Sequence, residues 1–192
     1  RLRDVAEEAM GLALGSGAET PDSPMIRAVT AAAGEIAALF EAAVADGRIT
    51  LEALFDETYV PIPGTDPGQV MTRFTALTDA LLPEVQERLL ALDPRVVFCA
   101  AVDRNGYLPT HNRMFSKPQG SDPVWNAANC RNRRIFNDRT GLAAGRNTRP
   151  HLLQTYRRDM GGGNFVLMKD ASAPITVRGR HWGGLRLAYR SG

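Results

Sequence analysis

The chain has 192 residues, of which 44% are hydrophobic and 23% charged, enough apolar content for a packed core and too much for general disorder. No run approaches about 18 uninterrupted apolar residues, which argues against a membrane span. The formal charge of +2 hides an asymmetry: residues 1–94 carry 6 Lys+Arg against 16 Asp+Glu, and residues 95–192 carry 17 against 5.

The first half reads as helices. Residues 1–15 are rich in Ala, Glu and Leu and stop at Gly15-Ser16-Gly17, a helix followed by a joint. The opening Arg1-Leu2-Arg3 without a methionine suggests a piece of something longer. A second helix is expected from about Met25 to Asp46, where Ile26, Val29, Ile36, Leu39, Phe40 and Val44 recur at helical spacing before Gly47. A short helical turn at Leu51–Phe55 precedes the proline-constrained stretch Tyr59–Gly64. A third helix is expected from about Pro67 to Leu92, with a kink at Pro83.

Beyond residue 94 the period changes. Arg95–Val102 reads as a buried strand, Asp103–Gly106 as a turn, and Tyr107–His111 as a second strand. A polar loop then leads to a helix from about Pro123 to Asn137, and Arg139–Pro150 reads as a Gly- and Arg-rich loop. Three further strands follow: Leu152–Arg158, Phe165–Val177 and Trp182–Tyr189. The expected class is α+β, with N-terminal helices packed on an antiparallel sheet of about five strands. Residues 1–17 would be a signalling helix or linker, 18–94 the helical part of the module, and 95–192 its sheet.

The chemistry is in the second half. Of its cations only Lys117 and Lys169 are lysine, and an arginine's planar fork suits carboxylates, phosphates and buried ion pairs. One reading has acidic helices simply pairing with a basic sheet; the other has the basic half binding an anionic ligand or an acidic partner. Cys99 and Cys130 suit reduced buried thiols better than a disulfide framework, and without a CxxC pair a zinc site is not expected. No GxSxG, HExxH, Walker A or GxGxxG motif occurs, so no enzymatic activity is expected.

The order of strand, turn, strand, helix and three antiparallel strands is that of a PAS-like sensor sheet. Val97–Gly106 resembles the start of Cache domains, and Ser172-Ala173-Pro174-Ile175 with Gly179, Gly183 and Gly184 resembles their closing hairpin. Cys130–Gly141 followed by Leu153–Asp159 is similar to the C-terminal sensory module of some bacterial methyl-accepting chemotaxis receptors. The resemblance covers about Pro24 to Tyr189. It implies a dimeric, cytoplasmic sensor without direct membrane contact, whose helices act on a histidine kinase through a coupling protein. In Cache sensors for amino acids an Arg-x-Trp-Tyr and a Tyr-x-Asp grip the ligand. Arg133 and Phe136 match part of the first motif and Asp159 part of the second, but Ile135 replaces the Trp and Tyr156 lies one place out of register.

The residues expected at the ligand are His111, Arg113, Arg131, Arg134, Tyr156, Arg157, Asp159 and His181. On a helix, Arg131 and Arg134 would share one face and Arg133 another. Asn126, Asn129 and Asn132 recur every three residues and suggest a polar helix face bonded to something specific. The ligand itself is expected to be small and polar or anionic. A histidine could also supply an axial bond to haem, so a haem- or flavin-filled pocket is one alternative, and a basic module for nucleic acid or acidic protein is another.

Overall fold

The computed structural model describes residues 19–159 and 163–191, so the helix expected over residues 1–15 lies outside the described residues. Helix α1 (Ser23–Ala45) starts with Pro24 in its first turn, where the missing N–H costs nothing, and ends before Gly47 at φ +75°. Its stripe of Met25, Ile26, Val29, Ala33, Ile36 and Phe40 is buried. By length and composition alone α1 could cross a bilayer, but that stripe packs on the sheet. Helix α2 (Leu51–Leu54) is capped by Thr50, whose hydroxyl accepts the Ala53 N–H at 3.1 Å.

Helix α3 (Thr75–Leu90) begins well after the expected Pro67. The intervening donors are used elsewhere: Gln69 N–H reaches the Thr65 hydroxyl at 2.9 Å and Val70 N–H the Arg133 carbonyl at 2.7 Å. This segment instead makes a small ribbon of β1 (Val60–Pro61) and β2 (Val70–Met71). Pro83 lies inside α3.

The class is α+β. Strands β3 (Val96–Asp103), β6 (Leu152–Asp159), β7 (Phe165–Val177) and β8 (Arg180–Arg190) form one antiparallel sheet in the order β3-β8-β7-β6. It has four strands rather than about five. The expected second strand shrinks to β4 (Tyr107–Leu108), which pairs with β5 (Arg134–Ile135) outside the sheet. Pro109 has no N–H to continue a ladder. Side chains cover the edge of β3 instead: Cys99 N–H donates to Asn112 Oδ1 at 2.8 Å and Ala101 N–H to Gln86 Oε1 at 2.9 Å.

Two further expectations are corrected between residues 123 and 150. The helix expected to reach Asn137 is α4 (Pro123–Asn129), and it stops before Cys130. The chain then turns through Arg133 at φ +63°, whose N–H bonds the Leu108 carbonyl at 2.6 Å, and runs into β5. Asn126, Asn129 and Asn132 therefore do not form one helix face. Asn126 is buried and ties the loop, donating to the carbonyls of Asp66 and Gly120 at 2.9 and 3.0 Å. The supposed loop after Arg139 is helix α5 (Arg139–Arg146), with Asp138 as its N-cap accepting from Gly141 N–H.

The pleat divides the sheet into two faces. Cys99, Ala101, Ala171, Ala173, Leu185, Leu187 and Tyr189 join α1 and α3 in one core, so the described residues before and after position 94 share a single hydrophobic cluster. The other face carries Phe98, Ala100, Val102, Met168 and Ala188. Helix α5 closes over part of it, and Gly184 permits that approach: a Cβ there would stand 2.5 Å from the Ala144 carbonyl oxygen. Gly106, at φ +83°, likewise leaves room for the Phe136 carbonyl, whose oxygen a Cβ there would meet at 2.3 Å.

Candidate functional site

The second face of the sheet gathers the charged side chains. The β6 alternation that puts Gln154 opposite Asp170 and Tyr156 opposite Met168 also places Arg158 on this face. From β8 comes Arg186, and from the loop after β4 comes His111, buried edge-on between Phe98 and Phe115 with ring centroids 5.3 and 5.0 Å away. Arg131 arrives from the turn after α4 and Arg134 from the start of β5. Each donates an Nη1 hydrogen to the Ala127 carbonyl, at 3.2 and 3.1 Å, and each lies over the Phe136 ring. Arg158 lies over Phe115, and its Nη1 is buried without a partner.

The electrostatics follow from this crowding. Burial, then the charges of Arg134 and Arg158, pull the Arg131 guanidinium down to about 10. Burial also lowers Arg134 and pushes the Tyr156 hydroxyl up to about 12, so the tyrosine stays a neutral donor. Asp170 is fully buried. Burial pushes its carboxyl up, while Arg186 opposes that by donating Nε and Nη2 to Oδ2 at 2.9 and 2.8 Å. Arg131, Arg134 and Arg158 have no carboxylate within ion-pair distance among the described residues.

Burial and then Arg131, Arg186, Arg158 and Arg134 hold His111 well below the usual imidazole range. Its Nδ1 accepts the Asn112 N–H at 2.7 Å, which assigns the remaining proton to Nε2. Because the unfolded histidine binds a proton near pH 6.5 and the folded one does not, acid favours unfolding. Stability is expected to fall by about 1.4 kcal/mol per pH unit below pH 6.5. His151, also lowered by burial, acts in the same direction. Urea unfolding at pH 7.5, 6.5 and 5.5 checks this. The His111→Gln chain should lose most of the slope, and an equal slope in both chains would assign the proton to another group.

Of the residues expected at the ligand, His111, Arg131, Arg134 and Tyr156 come together. Arg131 and Arg134 do so from a turn and a strand, not from one helix face. Three others do not join them. Arg113 is exposed in a 3-10 turn, its N–H on Glu87 at 2.6 Å. Arg157 sits on the opposite face of β6, exposed and stacked over Phe165 at 4.4 Å, because its odd register sends it there. His181 lies in the β7–β8 hairpin, its Nε2 bonded to the Gly145 carbonyl at 2.6 Å. Asp159 ends β6, and its side chain lies outside the described residues. Sequence reasoning missed Arg158, Arg186 and Asp170. Alternation along β6, with Arg158 in phase with Tyr156, was the available signal for the first.

Elsewhere the two halves neutralise one another. Arg104 pairs with Glu57 at 2.6 Å, Arg133 with Asp79 at 2.5 Å, Lys169 with Asp22 at 2.9 Å and Arg178 with Glu41 at 3.2 Å. An open groove lined by Asp56, Thr58, Val60, Met71, Thr72 and Arg73 has its charges matched in the same way, Arg73 reaching Glu52 and Asp56. Among the described residues no three metal-ligating side chains cluster. Cys99 and Cys130 are free and buried. No protein-family model matches the chain, and no curated protein is significantly similar to it.

Proposed function

We propose that this chain is the ligand-binding sensory domain of a bacterial chemotaxis receptor, taking a small polar or anionic ligand against the second face of its sheet. One observation carries the binding reading: Arg131, Arg134 and Arg158 converge beside His111 and Tyr156 with no described carboxylate to balance them. Nature seldom gathers unpaired guanidinium groups in a partly buried place without an anion to receive. The receptor reading rests on the resemblance of Cys130–Gly141 and Leu153–Asp159, as do a cytoplasmic homodimer and a histidine kinase reached through a coupling protein.

The signal would be a population shift. Ligand binding tighter to one arrangement of the Arg131–Ile135 turn than to another biases what that turn touches. Arg133, between the two site arginines, reaches away to Asp79 on α3, which also accepts from the Thr110 hydroxyl at 2.6 Å. A shift at Arg131 or Arg134 is thus mechanically joined to a helix.

A haem would need a free nitrogen lone pair, and His111 offers none in this arrangement, since Nδ1 accepts a backbone N–H and Nε2 holds the proton. Native mass spectrometry of freshly purified protein, with an absorbance scan of the same sample, tests the proposal. The expected result is extra mass that leaves on denaturation, or a complex that forms on adding a small anion, without a Soret band. A Soret band would replace this ligand with haem.

A further inference from the structure

The charge balance of the site narrows its ligand. Four guanidinium groups, from Arg131, Arg134, Arg158 and Arg186, act on His111. Among the described residues the carboxylates that answer them, Asp170 and Asp138, both act on Arg186, and Asp170 Oδ2 is taken by its Nε and Nη2. The other three are left with the Ala127 carbonyl and with the rings of Phe136 and Phe115. A guanidinium has five N–H donors, so each fork keeps hydrogens for a ligand, and Arg158 Nη1 is buried with nothing to bond. Tyr156 and His111 Nε2 add further donors. Acceptors are fewer: among the described residues Asp170 Oδ1 is the one buried carboxylate oxygen without a partner, and beside it the Ser172 hydroxyl, opposite Arg186, is the other unpartnered oxygen.

We infer that the site takes a small dianion lacking an ammonium group, its oxygens shared between the Arg131–Arg134 pair and Arg158. This rests on the ligand-binding reading above. A monoanion leaves two of the three unpaired guanidinium groups without a counter-charge. An amino acid brings an ammonium with three donors into a place that already has donors in excess and one free carboxylate oxygen. Two negative groups with four oxygens match the forks in both charge and geometry. Dicarboxylates and phosphate share this chemistry.

Isothermal titration of the whole chain with succinate, inorganic phosphate, aspartate and acetate tests it. Succinate and aspartate differ by the ammonium alone. The expected result is that succinate or phosphate binds about tenfold or more tighter than both aspartate and acetate. Which of the two dianions wins assigns the source. Arg134→Gln and Arg158→Gln should each weaken that binding by about tenfold or more, and Arg157→Gln, on the other face, should leave it unchanged. The ranking of the four probes on the unsubstituted chain stands whether or not a variant folds. Aspartate or acetate binding as tightly as the dianions, and weakened by Arg134→Gln, overturns the dianion and leaves the ligand site in place. No binding by any probe at millimolar concentration also overturns the dianion, and a native mass with nothing added then removes the site as well.

Discussion

Asp170→Ala is expected to destabilise the fold by about 3–5 kcal/mol, the usual cost of stranding one member of a buried ion pair. Asp170 has no exposed surface and Arg186 only 6%, so water cannot solvate the guanidinium once its carboxylate is gone. The remaining neighbours make it worse. Arg186 lies over Phe98 and stands among Arg131, Arg158 and His111, none of which offers an acceptor, and beyond Asp170 the negative charge that acts on it is Asp138 at the start of α5. The pair therefore holds a cation in place more than it adds stability, and the double change Asp170→Leu with Arg186→Met should recover most of the loss. Urea unfolding of the two single variants and the double variant measures both effects. A single-variant loss under about 1 kcal/mol would mean that water reaches Arg186 when Asp170 is removed.

The parts of this fold that a sequence reading reaches are those written in periodicity. The stripe from Ile26 to Val44 gave α1 within two residues at each end, and the apolar runs after residue 94 gave all the strands of the sheet. The misplaced elements are those decided by distant partners. Asn112 and Gln86 spend their side chains on backbone groups far along the chain and cover the edge that a fifth strand would have used, and Val70 gives its N–H to the Arg133 carbonyl, which holds the chain before α3 out of the helix. Arg133 takes a left-handed turn because its carbonyl and N–H are claimed by Val70 and Leu108, and no local pattern shows that.

The same contrast applies to the site. His111, Arg131, Arg134 and Tyr156 are polar residues next to a strand end, a helix end or a strand, where pocket residues commonly lie, and the structure brings them together. Arg157 and Arg158 are adjacent in sequence and of one type, so only the phase of the pleat separates them. That phase was available from Tyr156, and it puts Arg158 at the site and Arg157 over Phe165. Asp170 was hidden for another reason. It sits within a strand as one acid among apolar residues, and its meaning depends on Arg186 two strand registers away on β8.

Trp182→Ala is expected to cost about 3–5 kcal/mol while leaving the affinity for a small anion nearly unchanged. The indole has no exposed surface and packs edge-on against Phe40 of α1 at 5.1 Å and Phe74, just before α3, at 5.5 Å. Its Nε1–H donates to the Leu54 carbonyl at 2.9 Å, so truncation opens a cavity and also strands a carbonyl at the end of α2. All of these contacts lie on the helix side of the sheet, whereas the arginines lie on the other side. Stability and binding should therefore separate in this variant. Trp182→Phe, which keeps a ring but not the N–H, should fall between the two chains. Urea unfolding reads the first quantity, and titration with the dianion that binds best, at a temperature where the variant is folded, reads the second. A large loss of affinity in folded Trp182→Ala would show that the two faces are coupled through this ring, which would make it part of the path by which the ligand reaches the helices.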